Sequence, residues 1–546
     1  MFTNDVMLAS WTEKMRTGLG LDPGASGYSL LNHESPSIGQ PRAGPSRRRW
    51  LAKYASPILF ISLFVFMIYR STRSTDGQSA SIPGKPNESH FFHLVIPASS
   101  LGFCRTLFSA GVLNYPSPRI VNWDKKFEDP NKLDGGFHLA KVEAILDFLQ
   151  KLDGNHDHEL VYIPDGFDTW FQLRPEVLIQ RYNAIKKRLE QRTQHRYGIK
   201  YDQSIIFSAQ KRCEAGEETF SCSMVPPSDL PEIAGSEKAK YLNAGSIMGT
   251  VGALRKLFEH AKWKTEQRGY YSDQEVFAEI FGDQEYHREV LLSTKPPKTS
   301  SPDPEDTRNG KTFDPIITLP CDTCQFGISL DYRGEISMPA SDYEDDLAPL
   351  DPTSIPWYRR PSLPDDITHS TPPFWTPDYT GSTALPQKPW SQLPLLAHRL
   401  TNIRPVTIHH GSSSYSSNVT ATTAAWHQLW HTPNLRTLAT AYAKSPRMPF
   451  AVLRDEAIVR EYWGSSEGAG GGRVHDPESM PGAWKRWDEL CGSEQDAEGV
   501  FGDGLGAYRD PEYYLFWDGG RQGEQIRVWE ERMDAEKAAR EEGKAS

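Results

Sequence analysis

The residues best placed to do chemistry lie in VYIPDGFDTW, positions 161–170. A short apolar run there reads as a buried strand that delivers Asp165 and Asp168 into the turn at its carboxyl end. Open α/β sheets bind ligands at that end of their strands. Two carboxylates three residues apart in a turn can converge on one divalent cation, and Gly166 lets the backbone bend between them. Hard oxygen ligands of this kind suit Mn²⁺ or Mg²⁺, either of which can neutralise a diphosphate. A second strand, VTIHH, ends in His409, His410 and Gly411. A histidine there can add a nitrogen ligand, and mixed nitrogen and carboxylate ligation favours Mn²⁺, with Mg²⁺ as the alternative. A third stretch, YLNAGSIMG, sets Asn243 before a turn of small residues and a helix. In isolation each has a plainer reading: a solvated turn or cap, an ordinary histidine, a strand-to-helix loop.

These residues need a scaffold, and the pattern from His93 onward supplies one. HLVIPA opens as a strand. FHLAKVEAILDFLQKL follows as an amphipathic helix with Leu139, Val142, Ile145, Leu146 and Leu149 on one face. Glu159 to Pro164 is a strand, and Pro175 starts a helix running towards Gln191 at a favoured first-turn position. SIIFSA is a strand, TVGALRKLFEHAKWK a helix, and SDQEVFAEIFGD a helix capped by Ser272. FGISLDYRGEIS and RPVTIHH add late strands. Strands and helices in alternation predict an α/β sheet covered on both faces.

The order GGFHLAKVEAI, VYIPDGFD, IIFSAQKRC, YLNAGSIMG, SDQEVFAEIF, ISLDYRGEIS and PVTIHHG resembles one family. It is similar to the glycosyltransferase domain of the multifunctional lysyl hydroxylases, related to procollagen galactosyltransferases, over roughly residues 90 to 411. The resemblance implies a GT-A-like, Rossmann-type nucleotide-sugar-binding sheet, a Mn²⁺ cofactor and a UDP-sugar donor. It maps the metal ligands onto Asp165, Asp168 and His410, with His409 as the fallback in the doubled histidine. It also implies that Lys141 meets the diphosphate and that Asn243 and Gly245 lie near the donor. Asp273 and Gln274 fall in its acidic, catalytic run. The chain departs from the family where Ala244 replaces a serine and where Tyr270, Tyr271 and Ser272 stand before Asp273 in place of consecutive aspartates. Nothing after residue 420 resembles the iron-binding hydroxylase module, so collagen does not carry over as acceptor, and the acceptor is an unknown glycan or protein.

The rest of the chain sets the context. Residues 50–69 read WLAKYASPILFISLFVFMIY, with an uninterrupted apolar core from Ile58 to Ile68, just long enough to span a bilayer. Arg42, Arg47, Arg48, Arg49 and Lys53 precede or open this segment while only Arg70 and Arg73 follow it closely. That bias predicts a type II signal-anchor with its catalytic part in the lumen of the Golgi or endoplasmic reticulum. Residues 1–49 read as a disordered cytoplasmic tail, 70–90 as a stem and 91–420 as the catalytic domain. Pro-rich surface insertions are expected near 293–320 and 338–400, and 421–546 as a C-terminal extension. Sequons at Asn87 and Asn418 fit a lumenal setting.

A net charge of -11 argues against a nucleic-acid partner. Among six cysteines, Cys213 and Cys222 are spaced to pair across a short loop. Cys321 and Cys324 read as a disulfide or separate pairings ahead of a redox or zinc pair. Two further function classes stay open: a catalytically silent sugar-nucleotide or glycan binder, and a metal-dependent hydrolase, for which no second metal cluster or nucleophile elbow is evident.

Overall fold

A large mixed sheet forms where the apolar runs predict strands. The computed structural model describes residues 87–510 except 100, 215, 217–218, 229, 231–236, 294–323, 343–346, 352–361, 377–384, 412–418, 444–447, 456–457 and 465–468. The expected tail, membrane span and most of the stem lie outside the described residues, as do the insertion near 293–320, Asn418, Cys321 and the charged terminus. Among the described residues no helix is long and apolar enough to cross a membrane.

β1 (Asn87–Pro97) is central and changes partner along its length. Its first half runs parallel to β13 (Val459–Trp463), its middle to β3 (Leu160–Pro164) and its end to β2 (Arg119–Val121). β3 then pairs antiparallel with β6 (Tyr241–Thr250), β6 with β5 (Ile205–Gln210), and β5 parallel with β7 (Ile328–Asp331). Every residue of β3 is buried, as expected of a strand covered on both faces. A smaller sheet sets β11 (Thr407–His409) between β4 (Thr169–Phe171) and β8 (Ser337–Pro339).

The helices that bear on the site follow their sequence signals. α1 (Cys104–Gly111) precedes β2, and after it α2 (Phe137–Gln150) buries Val142, Ile145, Leu146 and Leu149 and leaves Leu139 partly covered. Burying each such side chain stabilises by about 1.5–3 kcal/mol. α3 (Pro175–Tyr197) has Pro175 in its first turn and ends at Gly198, whose φ of 69° only glycine adopts without strain. It runs six residues past Gln191. α4 (Val251–Gln267) precedes α5 (Asp273–Ser293), whose Glu275 N–H donates to Ser272 Oγ at 3.2 Å.

Two regions are built in more firmly than their composition suggests. The Pro-rich stretch near 338–400 contains β8's end and the antiparallel pair β9 (Leu347–Leu350) and β10 (Leu395–His398), and it buries Ile367, Trp390 and Leu396. Prolines donate no N–H, so the carbonyls of such a segment need donors from elsewhere. Arg174 supplies them to Pro372 and Pro373, and Gln172 bonds both N–H and C=O of Leu396.

The second region lies past residue 420. α6 (Val419–Trp426), α7 (Leu435–Ala443), α8 (Trp487–Cys491) and α9 (Glu494–Phe501) pack on the core. β12 (Ala451–Arg454) pairs with β13, while β14 (Gly471–Asp476) and β15 (Ser479–Arg486) extend the main sheet beyond β2. A disulfide ties Cys104 on α1 to Cys491 on α8. The boundary expected at 420 therefore falls inside one compact unit.

Candidate functional site

The turn after β3 and the end of β11 meet. Asp165 N–H donates to Gly245 O at 2.8 Å, tying the turn to β6. A Cβ at Gly166 would overlap the Pro97 carbonyl, so only glycine lets the turn lie on the end of β1. β11 pairs antiparallel with β4 and sets His409 opposite Thr169. Here His409 Nε2 faces Asp168 Oδ1 at 3.3 Å, out of line for a hydrogen bond. One ligand atom from each of Asp165, Asp168 and His409 can lie within 4.8 Å of the others.

His410, to which the resemblance assigns the metal, is not in this cluster. Successive strand side chains point to opposite faces, so of two adjacent histidines only one can face the aspartates. The His410 ring packs on Trp170 with centroids 4.0 Å apart, and only its backbone N–H reaches the turn, donating to Asp168 O at 2.9 Å. His409 stands where the resemblance would place the histidine ligand. Gly245 makes room for it, because a Cβ there would overlap the His409 ring.

The cluster fits a hard divalent cation. Gly411 N–H donates to Asp168 Oδ2 at 3.0 Å, while Asp168 Oδ1 and His409 Nδ1 are buried without a hydrogen-bond partner among the described residues. Buried polar atoms left unpaired are costly, and a cation held by carboxylate oxygen and imidazole nitrogen would satisfy them. Burial opposes the charge of His409, but Asp168 and Asp165 outweigh it and raise its pKa.

Beside the cluster lies a buried ion network. Lys141 Nζ, from α2, stands 3.1 Å from Asp165 Oδ2 and 3.0 Å from Asp273 Oδ2. His138, three residues earlier and so on the same helix face, sets Nδ1 3.3 Å from Asp273 Oδ1. Burial pushes the Asp273 carboxyl up, yet Lys141 and His138 prevail and hold it below the usual carboxylate range. Its position at the start of α5, where unpaired N–H groups carry partial positive charge, favours the same ionised form. Burial likewise works against Asp165, and Lys141 and the nearby histidines reverse it, so Asp165 stays ionised.

Asn243 and Gln274 shape the wall. The turn expected after Asn243 is instead strand, since β6 runs on to Thr250. The small residues form a bulge in it: Phe207 pairs with Ile247 and Ser208 with Asn243, so Ala244, Gly245 and Ser246 have no partner on β5. Asn243 Oδ1 accepts from Gly245 N–H at 3.0 Å and Ser208 Oγ at 2.9 Å, and its amide donates to Gln210 at 2.7 Å. Gln274 Oε1 accepts the Ala244 N–H at 3.1 Å. Both side chains hold the bulge open towards the cluster.

Lys141, Asp165, Asp168, Asn243, Gly245, Asp273, Gln274 and His409 line one cleft of about 720 Å³. That volume suits a nucleotide-sized ligand. Exposed Lys125 and Arg212 also line it, offering positive charge at its walls. Sequence reasoning missed these two, together with His138 and Glu214. His138 carried one signal, a polar residue three before Lys141 on the same helix; Glu214 sits in the Cys213–Cys222 loop and carried none. The expected Cys213–Cys222 pair forms, and Cys324 is disulfide-bonded as well. No protein-family model matches the chain and no curated protein does, which leaves the cleft's own chemistry to carry the function.

Proposed function

We propose that the protein is a metal-dependent glycosyltransferase that moves a sugar from a UDP-sugar donor to an acceptor hydroxyl. The observation that carries this reading is the convergence of Asp165, Asp168 and His409 at strand ends, in a cleft that also presents Lys141, Lys125 and Arg212. Mixed oxygen and nitrogen donors suit Mn²⁺, with Mg²⁺ as the alternative, and a nucleotide-sugar-binding, GT-A-like sheet is the fold that goes with them. When bound, such an ion neutralises the diphosphate and stabilises UDP as the sugar–phosphate bond breaks.

The chain's own residues then divide the work. Asp165, Asp168 and His409 hold the ion. Lys125 and Arg212 meet phosphate oxygens, while Lys141 keeps Asp165 and Asp273 ionised and close. Asp273, fixed by Lys141 and His138, orients a sugar hydroxyl. Gln274 is a positioning residue, since it holds the Ala244 N–H and with it the bulge beside Gly245. Holding reactants in place supplies much of the rate in such reactions.

The type II anchor at 50–69 and a lumenal Golgi or endoplasmic-reticulum location belong to the same proposal. Supporting them are the charge asymmetry around the apolar run and the described cysteines, all of which are disulfide-bonded. The test is calorimetric titration of UDP with and without Mn²⁺, coupled to hydrolysis of a UDP-sugar panel. Wild type should bind UDP in a Mn²⁺-dependent manner and turn over a donor, and Asp168→Ala should do neither. Affinity indifferent to metal sinks the proposal; metal-dependent binding without turnover of any donor favours the silent relative.

A further inference from the structure

A second cavity of about 310 Å³ adjoins the cleft and shares Glu214, Ser272 and Gln274 with it. Its walls are mainly apolar, built by Leu242, Val225, Phe281 and the Cys213–Cys222 disulfide, with Tyr241 inside and Tyr271, 55 % exposed, at the rim. No lysine or arginine lines it among the described residues, and Glu214 and Glu275 add negative charge. A diphosphate is therefore repelled here, while a neutral ring with hydroxyls at its edge finds aromatic surface and carboxylate acceptors.

Glu214 stands where the two spaces meet. Its Oε2 accepts from Gln274 Nε2. The residue is exposed, yet its surroundings on the cleft wall, and after them the Asp273 charge, raise its pKa. Asp273 is held below the ordinary range. A carboxyl held above its ordinary range is the stronger proton acceptor once ionised, while Asp273, held low, keeps the ionised form that orients a sugar hydroxyl.

We infer that this cavity is the acceptor subsite, that it takes a neutral glycoside, and that Glu214 receives the acceptor's hydroxyl. The inference rests on the transferase reading. The hydroxyl oxygen bonds to the donor's anomeric carbon as that carbon's bond to the diphosphate oxygen breaks. The bonding pair leaves with UDP, and the hydroxyl proton passes to Glu214.

The experiment is saturation-transfer NMR on the full chain with methyl β-galactopyranoside, methyl β-glucopyranoside and methyl α-mannopyranoside, in the presence of Mn²⁺ and UDP. At least one glycoside should receive saturation. Ala278→Phe, which fills the cavity, and Tyr271→Ala, a change at an exposed position, should each weaken it at least tenfold. Mn²⁺–UDP titration shows whether each variant is folded. Glu214→Gln should lower the kcat of transfer about 100-fold with a much smaller change in acceptor KM.

Glycoside binding that both cavity variants leave intact, no binding of any glycoside to wild type, or wild-type transfer by Glu214→Gln overturns the inference. So does a hydroxylated peptide that binds in the cavity where glycosides fail. Failure of Mn²⁺-dependent UDP binding would instead sink the donor reading, and it is measured separately from glycoside saturation.

Discussion

Asp165, Asp168 and His409 come from two strand ends far apart in sequence, and each is an ordinary residue until the ends meet. The adjacent histidines provide the sharpest test of the cluster. His409→Ala should weaken Mn²⁺ binding by at least about 10–100-fold, since even indirect supports of a metal site are worth that much. His410→Ala should leave metal affinity near wild type and cost about 1–3 kcal/mol of stability through lost packing on Trp170, read by urea unfolding. Gly245→Ala should also lower metal affinity, because its methyl displaces the His409 ring. Titration adds a test of burial. Burial pushes His410 and His431 down to about 4, whereas an unfolded histidine titrates near about 6.5. The folded chain therefore binds fewer protons between those values. Stability is full above the upper one and falls as pH drops towards the lower, by up to about 1.4 kcal/mol per pH unit for each histidine. His431→Gln should flatten that slope in melts followed from pH 7 to pH 4.5.

At the scale of elements, α2, β6 and α5 do the positioning. α2 carries His138 and Lys141 on one face while its apolar face anchors it to the core. Removing Lys141 leaves two buried carboxylates without their cation. Lys141→Met should cost about 3–5 kcal/mol in denaturant unfolding. Added Mn²⁺ should restore part of that loss, because it neutralises Asp165 directly; a variant as stable as wild type without metal would contradict this account. Helical periodicity, Pro175 and the Ser272 cap made α2, α3 and α5 legible in the sequence, since each rests on contacts a few residues long. The bulge at Ala244–Ser246 was not legible. It depends on the register of β6 against β5, which no local pattern specifies.

For the whole molecule, the region past residue 420, a C-terminal extension in the sequence, packs into the common core. β13 is the parallel partner of β1's first half, and Trp426, Tyr442 and Trp487 are buried in the common core. Truncation at residue 420 should therefore leave no cooperatively folded protein, as judged by near-ultraviolet circular dichroism and a missing melting transition. Cys491→Ser should cost about 2–5 kcal/mol, since the bridge from Cys104 closes a very long loop. By itself the sequence determined the α/β alternation, the carboxylates of the Asp165–Asp168 turn, the helices behind them and an apolar run at 50–69 long enough to span a bilayer. All of these follow from periodicity, caps and hydrophobic length, which act over short stretches of chain. Only the tertiary structure decided that His409 rather than His410 faces the aspartates, that Glu214 and His138 join the cleft, and that the C-terminal strands complete the sheet. Those outcomes depend on strand pairing and side-chain direction between residues up to hundreds of positions apart, where spacing along the chain carries no information.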